Sequence, residues 1–474
     1  MPHLRINVFN PNELQYTMSL DGSSNFENLE ISGEFHGFSV DGVGTWDLLV
    51  PNTVYPPKED TVLLSKAIAG LRRTEGIAVE IGCGSGAISI VLASLGWKVT
   101  SCDVNPFAVA ATKGNLERYG MHEHVEVLES GIGEGMELPS GTSLVVWNLP
   151  YLEAATLRTG LDAMEEASLT DICDGGWGNA LLNYITNQKL PVADDCLILL
   201  LFRTDPPSSS TPLDWRMRGW SARSIASLRL GGEKLEVFAI WKPGSGIEPI
   251  ILESCDSTMD EVKNIEEDGW QRVFSKEQIS GRGRRGSVWK SSQEDISATW
   301  ALSPEVTAKI NPGVLQTSIG AIVSETLQAS VKWPNDIISS DYKKMGGILV
   351  ESSGGERIRV GIGVNNKGFD GDGFSASGWN DTLGELSSAQ VFERIDAILA
   401  SYYEDNGWLQ MPSLDEMISI SWKGISRVLS RGSSIEVDGT AVRPCGLTEN
   451  GEIETTGEHS SKTIRDLDRI RWLF

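Results

Sequence analysis

Between about Pro56 and Lys242 the chain alternates apolar positions at helical spacing with short apolar runs that end in turn residues. Asp60 to Leu71, Ala87 to Leu95 and Phe107 to Arg118 carry the helical spacing. Ala78-Val79-Glu80-Ile81, Lys98 to Asp103, Val125 to Leu128 and Ser143 to Trp147 are short enough and apolar enough to be strands. Leu197 to Phe202 is an unbroken apolar run, too short to span a membrane and suited to a buried strand. Leu235 to Trp241 reads as a last strand. Strands separated by helices predict an α/β unit with a parallel, doubly wound sheet.

The pattern changes on either side. Residues 1–45 are rich in Asn, Ser and Gly with brief alternation such as Leu29-Glu30-Ile31, which predicts an irregular, β-rich extension. Lys242-Pro243-Gly244-Ser245-Gly246 is a Pro/Gly/Ser break. Beyond Ile247 the chain reads as α+β to about residue 425. The tail 426–474 holds short β-like runs at Ser434 to Val437, Thr440 to Val442 and Glu452 to Glu454, with Asp438-Gly439 and Asn450-Gly451 as turns. The expected division is therefore 1–45, 46–243, 247–425 and 426–474.

Composition narrows the function. A chain of 474 residues is too long for one core. Its 40 basic and 65 acidic residues give a net charge of −25, which disfavours general binding to a phosphate backbone. The six cysteines form no CxxC pair, so neither a zinc ribbon nor a disulfide framework is indicated. The first residues carry no basic-then-apolar leader, and no apolar run approaches a membrane span. The expectation is a soluble, cytoplasmic protein. His122 and His124 are expected at the surface, and Trp215, Trp220, Trp408 and Trp422 in packing.

A first constellation lies on the α/β unit. Glu80-Ile81-Gly82-Cys83-Gly84-Ser85-Gly86 follows a strand and opens a helix, and its GxGxG spacing differs from the GxGxxG of dinucleotide folds. Asp103, 21 residues after Gly82, ends the next strand, where a carboxylate can accept both hydroxyls of a ribose. Asn148-Leu149-Pro150-Tyr151 follows the fourth strand, on the side where such sheets bind ligands. An Asn oxygen and the next backbone carbonyl can grip a planar NH2 group, with Tyr151 packed on its plane. The lone pair then faces an electrophilic methyl in line. With Tyr55-Pro56-Pro57-Lys58-Glu59-Asp60-Thr61, these pieces resemble the HemK-type S-adenosylmethionine methyltransferases, which methylate glutamine in class I release factors. Arg223 to Trp241 resembles the tail of the eukaryotic and archaeal branch. The resemblance implies a Rossmann-like fold and cofactor binding by Glu80, Gly82, Gly84 and Asp103, bordered by Thr61. It implies that Asn148 and Tyr151 hold the acceptor amide. The family tetrapeptide is Asn-Pro-Pro-Tyr; here Leu149 replaces the first proline, and Ser130 stands where relatives often have an acid.

A second constellation lies beyond the break. Gly281-Arg282-Gly283-Arg284-Arg285-Gly286 can fold over a phosphate, because glycines permit close approach and arginines supply forked donors. Taken alone it could equally be an RNA-binding RG loop. Upstream, Ser257-Thr258 and Gln278 can bond a small polar ring, and Trp289 offers a flat face for adenine. Lys332-Trp333-Pro334-Asn335-Asp336 sets a cation, an amide and a carboxylate together, and Lys344 follows eight residues beyond Asp336. Val360-Gly361-Ile362-Gly363-Val364-Asn365 is a strand with two small residues, so something must approach its backbone closely. These groups suit activation of a carboxylate by ATP, with magnesium, Arg and Lys neutralising the developing charge. In this order the motifs resemble the biotin protein ligases over about 225 residues. The resemblance implies a biotin/lipoate-ligase-like α+β catalytic domain with a small SH3-like β-barrel. It places Ser257, Thr258, Gln278 and Arg282 on biotin. Gly281, Gly283, Arg284, Arg285 and Gly286 form the loop over the adenylate, with Lys332 beside it. Trp289 and Asn365 flank the adenine, and Lys344 sits between the biotin carboxylate and the α-phosphate. Asn335 and Asp336 organise the metal and the incoming lysine, and Gly347 allows close approach to biotin.

The expected protein is bifunctional. Its partners are a biotin carboxyl carrier protein, a class I release factor and a small activator subunit for the methyltransferase; no membrane is involved. The rivals are methylation of a nucleic-acid amino group, a scaffold that binds the methyl donor without transfer, and a biotin-responsive DNA-binding regulator. The glycine turn and Asn148 stand where such a regulator would carry a winged helix.

Overall fold

The computed structural model describes residues 3–10, 13–19, 26–30, 33–153, 170–171, 173–187, 192–289, 291–292, 294–352, 357–371, 374–456, 461–465 and 469–474. The chain forms two compact units. The first comprises Met1–Met217, Ala222–Lys242 and Gly407–Leu409; the second comprises Arg218–Ser221, Pro243–Asn406 and Gln410–Phe474. Among the described residues no helix is long and apolar enough to cross a membrane.

The first unit opens with an antiparallel sheet of β1 (His3–Asn10), β2 (Glu13–Ser19) and β3 (Phe26–Glu30). A hairpin follows, β4 (Gly33–Val40) and β5 (Gly44–Pro51). The segment 1–45, expected as an irregular, β-rich extension, thus holds β1 to β4 and the start of β5 among the described residues. Phe38, Val40, Trp46, Leu48 and Val50 alternate along the hairpin and are buried in the unit's core, which is the period-2 signature of a half-buried strand. Asn115 clips its edge, accepting from the Leu49 N–H at 2.9 Å and donating to the Leu49 carbonyl at 3.0 Å.

The central elements are α1 (Glu59–Ala69), β6 (Ile77–Ile81), α2 (Ala87–Leu95), β7 (Lys98–Asp103), α3 (Pro106–Arg118), β8 (Val125–Glu129) and β9 (Thr142–Asn148). Short β10 (Leu152–Glu153) and β11 (Thr170–Asp171) pair with each other. Then come α4 (Trp177–Asn187), β12 (Val192–Asp205), α5 (Pro212–Met217), β13 (Ser221–Leu230) and β14 (Glu233–Trp241). The seven-stranded sheet has the order β13-β14-β12-β9-β6-β7-β8. Strands β6 to β9 and β12 run parallel, but β14 is antiparallel to β12, so the expectation of a parallel sheet holds for the five strands from β12 to the edge strand β8 and not for the β14 side. Leu197 to Phe202 is buried throughout, as a strand covered on both faces must be. Asn105 caps α3 by accepting from the Phe107 N–H at 3.0 Å, with Pro106 in the first turn. Trp215 and Trp408 are fully buried, and His122 and His124 are exposed.

The second unit begins with β15 (Ile250–Leu252), α6 (Thr258–Glu261), β16 (Gln271–Ser275), a ribbon of β17 (Gly281–Arg282) and β18 (Val288–Trp289), and β19 (Ile296–Leu302). Helices α7 (Pro304–Lys309) and α8 (Pro312–Thr326) lead to β20 (Ser330–Lys332), β21 (Asp336–Ile338), β22 (Lys344–Glu351) and β23 (Ile358–Val364). Short β24 (Phe369–Gly371) and β25 (Phe374–Ala376) precede α9 (Asn380–Leu383), α10 (Ser388–Tyr403) and α11 (Leu414–Leu429). The main sheet runs β15-β16-β19-β23-β22-β21-β20. Helices α8 and α10 bury their apolar stripes against it, with Leu315, Ile319, Ile395 and Leu399 in the core. Inside that core Asp396 accepts from the indoles of Trp270 and Trp300, each at 2.8 Å, and from Arg272 at 3.0 Å, so the buried charge is fully partnered.

The chain ends in a five-stranded sheet ordered β29-β28-β27-β26-β30, from β26 (Ser434–Val437), β27 (Thr440–Leu447), β28 (Ile453–Thr456), β29 (Ser461–Ile464) and β30 (Ile470–Leu473). Strand β30 returns antiparallel to β26. It forms half a barrel among the described residues.

Candidate active sites

In the first unit, a cavity of about 500 Å3 opens beyond the carboxyl ends of β6, β7 and β9. Thr61, Glu80, Gly82, Gly84, Asp103 and Asn148 all line it. Gly82 and Gly84 have φ of 72° and 50°, a left-handed backbone that a Cβ resists, and that turn lets the loop fold back. The loop is tied down by Asp103, whose Oδ2 accepts from the Gly84 N–H at 3.0 Å and whose Oδ1 accepts from the Asn105 N–H at 2.9 Å. Each oxygen keeps a lone pair for a ribose hydroxyl. Burial pushes the Asp103 carboxyl up, and these two N–H groups pull against it.

Glu80 also ties elements of the fold together. Its Oε2 accepts from Ser89 and, at 3.0 Å, from Ser101, so that oxygen braces α2 against β7. Burial pushes its carboxyl from the ordinary 4.5 up to about 8, against the pull of the two serines. The protonated form is therefore the one the fold prefers. Its stabilising effect is full below 4.5, falls as pH rises to about 8 and is flat beyond. Thermal unfolding of Glu80→Gln between pH 4.5 and 9 is expected to lose that part of the slope, gaining on the order of 4 kcal/mol over wild type at the alkaline end. An unchanged difference across that range rules this out.

Asn148 donates from Nδ2 to Asp60 Oδ2 at 2.9 Å, and its buried Oδ1 has no partner among the described residues. Tyr151, expected as the aromatic cover, is buried and is not among the residues that line the cavity. Trp147 and Trp177 line the cavity instead, their rings 5.9 Å apart and tilted by 56°. Trp177 opens α4, whose first turn is fixed by Asp171 accepting from the Trp177 N–H at 3.2 Å. Tyr55 also lines the cavity. Asp60 and Trp177 were missed; only the acid at the start of α1 left a trace in the sequence.

In the second unit, a cavity of about 680 Å3 brings together Ser257, Thr258, Gln278, Arg282, Gly283, Arg284, Trp289, Lys332, Asn335, Asp336, Lys344 and Gly347. Lys344 Nζ lies 2.7 Å from Asp336 Oδ1, and Lys332 Nζ lies 3.7 Å from Asp336 Oδ2. Arg284 donates to Asn335 Oδ1 at 3.2 Å, and Asn335 Nδ2 donates to the Ile348 carbonyl at 3.0 Å. Gln278 Oε1 accepts from the Thr258 N–H at 2.9 Å, which joins α6 to the arginine loop. Arg282 turns to Asp260 at 2.9 Å.

Three polar groups on this cavity are buried and unpartnered among the described residues: Ser257 Oγ, Ser297 Oγ and Trp289 Nε1. Such a set fits a small ligand carrying both donors and acceptors, since a buried polar atom left unmatched is costly. The close approach predicted at the two strand glycines is real. A Cβ on Gly363 would collide with the Trp289 ring, and one on Gly361 would lie 2.9 Å from Met259 Sδ.

Asn365, Gly281 and Gly286 are not among the residues that line this cavity. Asn365 is buried and donates to the Ser377 carbonyl at 3.1 Å, away from the cavity lining beside which Trp289 stands. Gly281 and Gly286 line a second cavity, which shares Arg282, Gly283 and Arg284 with the first. The side chain of Arg285 lies outside the described residues. For the metal, Asp336 is already paired to two lysines, and no cluster of three metal-ligating side chains occurs among the described residues. Sequence reasoning also missed Arg471, Trp472 and Phe474, which β30 and the last residue deliver to the cavity rim.

Two parts of the chain are similar to known proteins. Over 192 residues the chain is 32% identical to the "Putative protein N5-glutamine methyltransferase" of Methanocaldococcus jannaschii, spanning 40% of this chain and 92% of that one. Its N-terminal half belongs to that methyltransferase family. Residues 59–149 also match the family described as Ribosomal protein L11 methyltransferase. Residues 252–365 match the Biotin/lipoate A/B protein ligase family, so the chain fuses a methyltransferase half to a ligase half. Over 107 residues the ligase half is 34% identical to the biotin–[acetyl-CoA-carboxylase] ligase of Paracoccus denitrificans. That match spans 20% of this chain and 44% of the relative, so the chain covers under half the length of that ligase. Among solved structures, the biotin protein ligase from Aquifex aeolicus in complex with biotin and ATP aligns with a TM-score of 0.36 at 21% identity, covering 48% of this chain and 98% of that one.

Proposed function

We propose that the chain is a bifunctional enzyme. Its ligase half activates biotin with ATP to biotinyl-5'-AMP and transfers the biotinyl group to a lysine of a biotin carboxyl carrier protein. The reading is carried by the set of Lys344, Asp336, Lys332, Arg284 and Asn335 on the same cavity as the three unpartnered polar groups. Ser257, Thr258 and Gln278 hold the ureido ring. Lys344 and Arg284 face the charge that develops as the carboxylate meets the α-phosphate. The arginine loop excludes water from the mixed anhydride. Asp336, with Asn335, receives the target lysine and, through the nucleotide, magnesium. We read the C-terminal half-barrel as the small SH3-like domain of such ligases, and Arg471 with Trp472 as its contribution to the nucleotide site.

The methyltransferase half binds S-adenosylmethionine through Thr61, Gly82, Gly84 and Asp103 and moves its methyl to a planar amide nitrogen. We take glutamine of a class I release factor as the acceptor, with a small activator subunit as a further partner. The reading is carried by Asn148 Oδ1, an unmatched acceptor on a cavity-lining side chain. Bound S-adenosylmethionine supplies the electrophilic methyl; Asn148 and the Leu149 carbonyl orient the amide, and Trp147 and Trp177 keep water out.

The test is direct. The chain is incubated with cell extract, labelled biotin and labelled S-adenosylmethionine, and the labelled proteins are identified. Biotin on a carboxyl carrier and methyl on a release-factor glutamine are expected. Methyl on nucleic acid, or biotin on no carrier, overturns the corresponding half.

A further inference from the structure

A buried carboxylate stands behind the asparagine of the methyl-transfer site. Asp60 is 1% exposed, and four donors converge on it. Its Oδ1 accepts from the Thr61 N–H at 2.7 Å and the Thr61 hydroxyl at 3.3 Å. Its Oδ2 accepts from the Tyr55 hydroxyl at 3.3 Å and from Asn148 Nδ2 at 2.9 Å.

An asparagine amide has nearly the same shape in either of its two orientations, so its neighbours decide which end faces where. A carboxylate only accepts. Asp60 therefore draws the NH2 of Asn148 to itself and leaves Oδ1 as the unmatched end of a side chain that lines the cavity. An incoming –NH2 finds an acceptor there; an incoming carboxylate or carbonyl finds an oxygen. We propose that Asp60 is a positioning residue that fixes the polarity of Asn148, and so makes the site select an amide and refuse the corresponding acid. The inference rests on the methyltransferase reading above.

Replacing Asp60 by its own amide sharpens the argument. The Thr61 N–H cannot be reversed, so the oxygen of Asp60→Asn stays with Thr61 and its NH2 faces Tyr55 and Asn148. The Tyr55 hydroxyl adapts, since it both donates and accepts. Asn148 flips to offer Oδ1 to that NH2, and its own NH2 becomes the group met by the acceptor. A shape-preserving change thus inverts the recognition, whereas Asp60→Ala merely leaves the orientation unset.

The experiment compares wild type, D60N and D60A on a class I release factor and on the same factor with its acceptor glutamine changed to glutamate. Calorimetry with S-adenosylmethionine monitors the cofactor site. The expected order of kcat/KM on the glutamine protein is wild type, then D60A, then D60N, with D60N down about 100-fold and cofactor affinity held. The glutamate protein is expected to inhibit D60N about tenfold better than wild type. A purely structural role for Asp60 predicts the opposite order, because alanine disturbs packing more than asparagine does; that order, or unchanged inhibition, overturns the proposal. If D60N fails to bind cofactor, D60A decides: its preference for glutamine over glutamate must fall about tenfold, and an unchanged preference overturns the proposal. If wild type transfers no methyl to the glutamine protein, the methyltransferase reading itself falls and takes this inference with it. If wild type is active and the variants behave structurally, only the inference falls.

Discussion

Lys344→Ala is expected to abolish biotin transfer to a carboxyl carrier domain, lowering it by about 1,000-fold or more, because a preorganised cation facing developing phosphate charge is worth several kcal/mol in a shielded site. The fold is expected to survive. Lys344 opens β22 with its side chain about half exposed (49%), and its ion pair to Asp336 is partly solvated. Losing a pair of that kind costs about 0–1 kcal/mol. Asp336 keeps Lys332 at 3.7 Å, so no carboxylate is stranded. The measurement is transfer of labelled biotin under single-turnover conditions, with melting temperature and S-adenosylmethionine affinity as controls. Transfer at near wild-type rates would show that Lys344 is not at the reacting centre.

Asn148→Ala is expected to remove methyl transfer while biotinylation continues. The variant loses both ends of the amide, so the acceptor nitrogen is left unoriented, and loss of such positioning costs about two orders of magnitude or more in kcat/KM. Stability is expected to fall by only about 1 kcal/mol, since Asp60 retains its bonds from Tyr55 and Thr61. Cofactor affinity is expected to be unchanged, because Asp103 and the glycine turn do not touch Asn148 through any of their hydrogen bonds. Simultaneous loss of both activities with the fold intact would mean that the halves are coupled.

Much of the architecture was legible in the chain. The helix Ala87–Leu95 and the strand Lys98–Asp103 lie where their apolar spacing put them. Periodicity reports which face of a local segment is buried, and a glycine turn reports a backbone that a Cβ would resist. Lys332, Asp336 and Lys344 meet in one charged cluster because the short antiparallel pairs β20 with β21 and β21 with β22 fold them together.

What tertiary structure alone decided was direction and distance. No local pattern distinguishes an antiparallel β14 from a parallel one, since both are apolar and buried. Tyr151 and Asn365 carry the chemistry the sequence reading asks for, yet both are buried and neither is among the residues that line the cavities. Trp177, Arg471, Trp472 and Phe474 reach the sites only because distant strands and helices close on them. The bond between Asp60 and Asn148 joins residues 88 apart in the chain. Sequence determined which side chains were available and which surfaces sought burial. Long-range register and close packing chose which of them meet, because a hydrogen bond depends on a few tenths of an ångström that no one-dimensional pattern encodes.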